Sequence, residues 1–242
     1  STAAALAARN LVSPDLMTAL GLTGGHPRDF LAATASIGVQ LLAQYAALLV
    51  LVAVVGWLRG RRKLADYAVA RPREGAGRAV LNGVVIGLII SIIPATVMVL
   101  QDIAPIGEDT PIWAALRGAE GDWTFWVFTA VASFAFVPIV EEGAWRGYVM
   151  GRLAEGFSPG AAALLTTLLF AGLHVQYLRA DAAMMLTFAG LILASLAFAF
   201  STLRSGSLLT AIVAHAVLNF PLPTYGTMGK VALGVLALIV FH

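Results

Sequence analysis

Three groups of polar side chains interrupt otherwise apolar sequence: Glu141, Glu142 and Arg146; then His174; then His215 and Asn219. An ionisable side chain in a membrane helix costs roughly 2.5–3.5 kcal/mol on insertion scales, which makes it a functional hypothesis by default. The types present suit one chemistry in particular. A carboxylate withdrawn from water is a fit general base near neutral pH. Two histidines can share a water's proton or donate to an oxyanion. The Asn219 amide can donate to the same oxyanion without changing charge, and one such donor is typically worth about 10²–10³ in rate. Together they suit attack of water on an amide. The alternative is zinc held by Glu141, His174 and His215 with water as the fourth ligand. The zinc-protease helix signature His-Glu-x-x-His is absent.

The sequence around these groups is that of a membrane protein. The 242 residues are 60% hydrophobic and 12% charged, where a soluble domain has about 25% charged residues. The absence of cysteine excludes disulfides, thiolate zinc sites and a cysteine nucleophile. The net charge of +2 comes mostly from one basic loop, which reads as topology and not as nucleic-acid binding. Residues 1–30 lack the basic and apolar regions of a signal peptide.

A membrane span needs about 20 mostly apolar residues. The first runs from Ala35 to Leu58. A loop rich in arginine follows over 59–78, and the second span runs from Ala79 to Leu100 with a kink expected at Pro94. An acidic loop leads to a third helix from Trp123 to about Leu153. Ser158-Pro159 reads as an N-cap and first-turn proline, opening a fourth helix to about Leu178. The fifth runs from Ala182 to Thr202. Ser205 or Ser207 caps the sixth, which ends near Pro221, and a seventh starts at Lys230. The fold class expected is therefore all-α and polytopic: a bundle of about seven transmembrane helices around an intramembrane polar site. Residues 1–34 form an N-terminal segment with room for one interfacial helix, and 35–242 form a single transmembrane domain with its catalytic core over about 123–222. The positive-inside rule puts the 59–78 loop, Arg152 and Arg204 in the cytoplasm.

Depth arithmetic brings the groups together. At the helical rise, Glu141 lies roughly 18 Å from Leu153, His174 roughly 22 Å from Pro159, and His215 and Asn219 roughly 12 and 18 Å from Ser207. All fall in one layer reached from the cytoplasmic face. Glu142 and Arg146 are i, i+4 with the acid first, as are His215 and Asn219 as a pair. Glu141 is expected to point about 100° away from Glu142, toward other helices. Gly143, Ala171 and Gly172 are expected to leave room for a neighbouring backbone.

Plainer readings stand beside these. Glu142 and Arg146 read equally as a structural ion pair, which leaves Glu141 unexplained. A lone buried histidine is usually a satisfied core residue, and Asn219 alone would serve as glue between helices. Trp57, Trp123 and Trp126 read as interfacial belt residues, and Trp145 as packing. What separates the functional reading is the shared depth of two glutamates, two histidines and an asparagine.

Glu-Glu-x-x-x-Arg, Phe-x-x-x-His and His-x-x-x-Asn on successive apolar segments resemble the CAAX-processing and bacteriocin-processing (CPBP, or Abi) family of intramembrane proteases. The stretch Ser205-Gly206-Ser207-Leu208 resembles the family too, and the likeness covers roughly 123–222. It implies that Glu141 and His174 activate water, that His215 and Asn219 hold the oxyanion, and that Glu142 and Arg146 support the site. It further implies an endopeptidase acting on a membrane-associated or prenylated peptide or protein in contact with membrane lipid, with no nucleic-acid partner. No cofactor is favoured, and zinc is the alternative. The expected location is the prokaryotic inner membrane, multi-pass, with the site opening toward the cytoplasm. Two rival readings are a proton-coupled transporter, which lacks the usual repeated halves, and a non-catalytic immunity or scaffold protein that binds a membrane peptide.

Overall fold

A computed structural model describes residue 43 and residues 45–60, 68–103, 131–174 and 182–219. Those residues are helical or in turns, with no strand among them. The segment 1–34, Gln40, Gln44, the acidic loop, Trp123, Trp126 and the seventh span from Lys230 lie outside the described residues. The chain divides into two compact units, and the elements discussed below lie, apart from residues 45–47, in the one formed by Leu48–Glu108 and Ala130–His242.

We label the helices α1 (Tyr45–Leu58), α2 (Ala76–Ile103), α3 (131–153), α4 (Pro159–Gly172), α5 (Ala182–Ser205) and α6 (Leu209–Asn219). Over Ala76–Pro94 and Met184–Ser205, α2 and α5 are long and apolar enough to cross a membrane, while α1, α4 and α6 are shorter apolar helices. Leu81, Val85 and Ile89 form an exposed stripe at i, i+4 along α2, and Leu164 and Leu168 do the same on α4. Such stripes are normal against lipid and a liability in water. Pro94 lies inside α2, which continues to Ile103.

Two helix starts follow from local chemistry. The Ser158 hydroxyl accepts from the Ala161 N–H, and Pro159 occupies the first helical position, where its missing N–H costs nothing. At the other turn, Ser205 Oγ accepts from Ser207 N–H and Ser207 Oγ accepts from Leu209 N–H. Gly206 adopts φ +68°, open to glycine without a Cβ penalty. The segment before α2 closes over this turn. Leu208 N–H donates to Ala68 O, Ser207 Oγ to Ala70 O, and Arg73 N–H to Ser205 O.

Helix α6 is central: it packs chiefly along α2 and also touches α3 and α5. Its closest approach is made by Gly83 and Gly87, one turn apart on α2. A Cβ added at Gly83 would come within 2.8 Å of Thr210 O, and one at Gly87 within 2.7 Å of Ala214 O. This is the small-xxx-small packing by which apolar helices associate when no hydrophobic drive separates them from lipid. Gly190 on α5 lies similarly close to Ile93, 2.9 Å from its Cγ2. Ile90, Ala194, Phe198, Ala211 and Ala214 fill the space between α2, α5 and α6.

Three expectations need correction. Close backbone approach occurs at Gly83 and Gly87, not at Gly143 or Gly172, where an added Cβ would meet nothing within 4 Å. Helix α4 stops at Gly172, short of Leu178, so His174 lies in the turn after it. Helix α3 is not uniformly α-helical. It runs as π-helix over Val131–Phe136, α over Val137–Glu142, π over Gly143–Val149 and α over Met150–Leu153. Pro138 follows the first π stretch; it has no N–H for the carbonyl four residues back, and the wider turn accommodates that loss.

The packing yields a direct test. Gly87→Leu forces α6 away from α2 and should lower stability by about 1–3 kcal/mol or more, the range for overpacking. Gly143→Ala should leave stability within about 0.5 kcal/mol, as for a change that meets no neighbour. Detergent-solubilised thermal unfolding of both variants checks this, and equal losses would refute the packing account.

Candidate active site

The glutamate pair lies where α3 passes from α into π geometry. Glu142 is completely buried. Its Oε1 accepts from Arg146 Nη1 at 2.8 Å and from His215 Nδ1 at 2.7 Å. Since a carboxylate only accepts, His215 Nδ1 carries the proton in this contact, and Nε2 holds the lone pair of the neutral ring. That Nε2 faces Glu141, 3.8 Å from Oε2. Adjacent glutamates expected on different faces are thus spanned by the two nitrogens of one imidazole. Glu141 retains 14% side-chain exposure while Glu142 has none, so Glu141 is the carboxylate that a water can reach.

Arg146 is also buried, and its second terminal nitrogen is held by α5. Nη2 donates to Ser195 Oγ at 2.7 Å and to Ser195 O at 3.2 Å. Ser195 Oγ in turn donates to Thr167 Oγ1 at 3.1 Å on α4. One arginine therefore ties α3 to α5 and, through a serine, to α4. Two aromatic faces complete its surroundings: the guanidinium carbon lies 4.9 Å from the Phe170 ring centre and 5.4 Å from that of Phe198. Such contacts favour a cation that has lost its water. Phe198 also stacks on His215, at 5.2 Å and 20°.

The His174 ring is fixed by its own helix end. Nδ1 donates to Phe170 O at 2.9 Å, which leaves Nε2 as the lone-pair nitrogen in the neutral ring. The ring packs on Phe170 at 4.6 Å, and Phe170 meets Trp145 edge-on at 5.7 Å. Asn219 is the last residue of α6, one turn beyond His215 and half-buried.

The structure therefore joins Glu141, Glu142, Arg146 and His215 by direct contacts and links His174 to them through Phe170. Ser195, Thr167 and Phe198 were not singled out from sequence. The signal for Ser195 was weak: a hydroxyl on an apolar helix, ordinarily satisfied by its own backbone. No three His, Cys, Asp or Glu side chains among the described residues are grouped to hold a metal ion.

Removal of the arginine should be costly. Arg146→Ala leaves Glu142 buried with one partner fewer and should destabilise by about 3–5 kcal/mol. Ser195→Ala removes one hydrogen bond to a charge and should cost about 1.5–3 kcal/mol. Unfolding midpoints of the purified variants check the order, and wild-type melting of Arg146→Ala would contradict it.

Comparison with curated proteins and with solved structures returns no match. Comparison with family models returns one that spans all three motifs. Residues 122–221 match the model of the family described as Rce1-like, type II CAAX prenyl endopeptidase Rce1-like.

Proposed function

We propose that this protein is a multi-pass intramembrane endopeptidase that uses Glu141 to activate water, without a bound metal. The observation that carries the reading is the placement of His215 between two glutamates of different accessibility. The family match supports peptide-bond hydrolysis. Glu142, with no exposure, has no route to substrate; its role is to hold the His215 tautomer, as a buried carboxylate does for a catalytic imidazole. Glu141 accepts a proton from water as the water oxygen bonds to the scissile carbonyl carbon. The carbonyl π electrons move to oxygen, and Asn219 stabilises the resulting charge, joined by His215 once its Nε2 also carries a proton. Collapse breaks the C–N bond, and the proton held by Glu141 passes to the leaving amine. His174, with Nε2 as its lone-pair nitrogen, assists in orienting the water. The 3.8 Å gap between His215 and Glu141 is of the kind that tightens once substrate is bound.

The substrate class follows from the setting. A site on apolar helices selects a peptide delivered at the membrane, membrane-associated or prenylated. Arg59, Arg73 and Arg152 meet at one end of the helices, which supports a cytoplasmic face there under the positive-inside rule. The corresponding location is the prokaryotic inner membrane.

The test is cleavage of a pool of membrane peptides, prenylated ones included, by the purified protein in liposomes. Glu141→Gln should lose at least about 100-fold in kcat, the scale of general-base catalysis, with unchanged melting. Asn219→Ala should lose about 10²–10³, the scale of one oxyanion donor. Full activity in Glu141→Gln would sink the proposal.

A further inference from the structure

A cavity of about 590 Å³ opens at the end of the helices where α1, α3 and α5 stop. Its charged lining is Arg59, Arg73, Arg146, Arg152 and Glu155, four cations against one anion. Arg152 is paired with Glu155, and Arg73 donates to Arg204 O. The side chain of Arg59 is exposed. Arg146 differs from the others: it is 1% exposed, and its Nε has no hydrogen-bond partner. A buried donor left unsatisfied calls for an explanation. Arg146 is also one of the residues that line the cation-rich cavity.

Guanidinium groups favour phosphate because their planar donors match two oxygens at once. The volume is within the range of small-molecule sites and holds more than a bare phosphate. The cavity also lies where apolar surface begins. Trp57 and Leu58, 59% and 69% exposed, directly precede Arg59. An acyl chain would have apolar surface to follow from there, and a free anion would not use it. Under the positive-inside reading, this end faces the leaflet in which anionic lipids attract basic segments.

We infer that this cavity binds the phosphate headgroup of an anionic phospholipid, with Arg59 and Arg152 supplying the charges that meet it and Arg146 forming part of its inner wall. The inference is independent of the peptidase reading, because it is tested by binding alone. The purified full chain in neutral detergent is titrated with phosphatidylglycerol, and the lipid-bound fraction is read by native mass spectrometry. Saturable uptake of one lipid is expected, with phosphatidylcholine binding at least about tenfold more weakly, as loss of one or two charge-assisted contacts implies. Arg59→Gln/Arg152→Gln should weaken phosphatidylglycerol by a similar factor. Both side chains are at least partly exposed, so the variant should melt as wild type without lipid. Arg78→Gln, an exposed charge outside the cavity, should change affinity less than about twofold, as surface charges do. Equal loss in Arg78→Gln would overturn the site in favour of diffuse surface charge. Displacement of the lipid by millimolar inorganic phosphate would make it a free-anion site. Displacement by a peptide with a free C-terminal carboxylate, but not by its amide, would make it a peptide site. Either displacement contradicts the proposal.

Discussion

The arrangement depends on one carboxylate oxygen, Glu142 Oε1, which accepts from Arg146 and His215 together. Out of water, a carboxylate is tolerated only if its charge is matched. Arg146 supplies the matching charge and is itself anchored by Ser195 and flanked by Phe170 and Phe198. The ion cluster is weak evidence for stability as such, because desolvation offsets most of the attraction. Its effect is geometric. It fixes α3, α5 and α6 around one point and leaves His215 with its second nitrogen facing Glu141.

That geometry needs α6 at a set distance from its neighbours. The shallow surface of α2 at Gly83 and Gly87 provides it, letting α6 lie against backbone instead of side chains. The π turns on either side of Glu141 and Glu142 contribute at the other wall. Such turns often occur at functional sites, because they re-aim side chains without breaking the helix. Here adjacent glutamates lie about one imidazole while differing in access to water, and under the proposed mechanism this divides positioning from proton transfer.

Much of this was legible in the residue pattern. The i, i+4 spacing of Glu142 and Arg146 predicts their bridge, Ser158-Pro159 predicts the start of α4, and depth counting places Glu141 and His215 in one layer. Other features were not legible for physical reasons. The stop of α4 at Gly172 was hidden because apolar sequence continues past it, and hydropathy carries no signal for a turn. The π stretches leave the apolar pattern intact. Gly83 and Gly87 spell a packing motif, yet only the partner helix shows which face it serves. Ser195 becomes meaningful once Arg146 is seen to reach across 49 positions of sequence to it.

The claim at the centre of this account is that Glu142 acts on catalysis through His215. A double-mutant cycle on peptidase kcat in liposomes, with Glu142→Gln, His215→Gln and both together, measures that coupling. Glutamine at 142 keeps an acceptor for Arg146 while removing the charge that holds the imidazole. The account predicts that the double variant is no slower than the slower single variant, since the two act as a unit. Losses that multiply would show that the two residues work independently, and the central arrangement would then be structural coincidence.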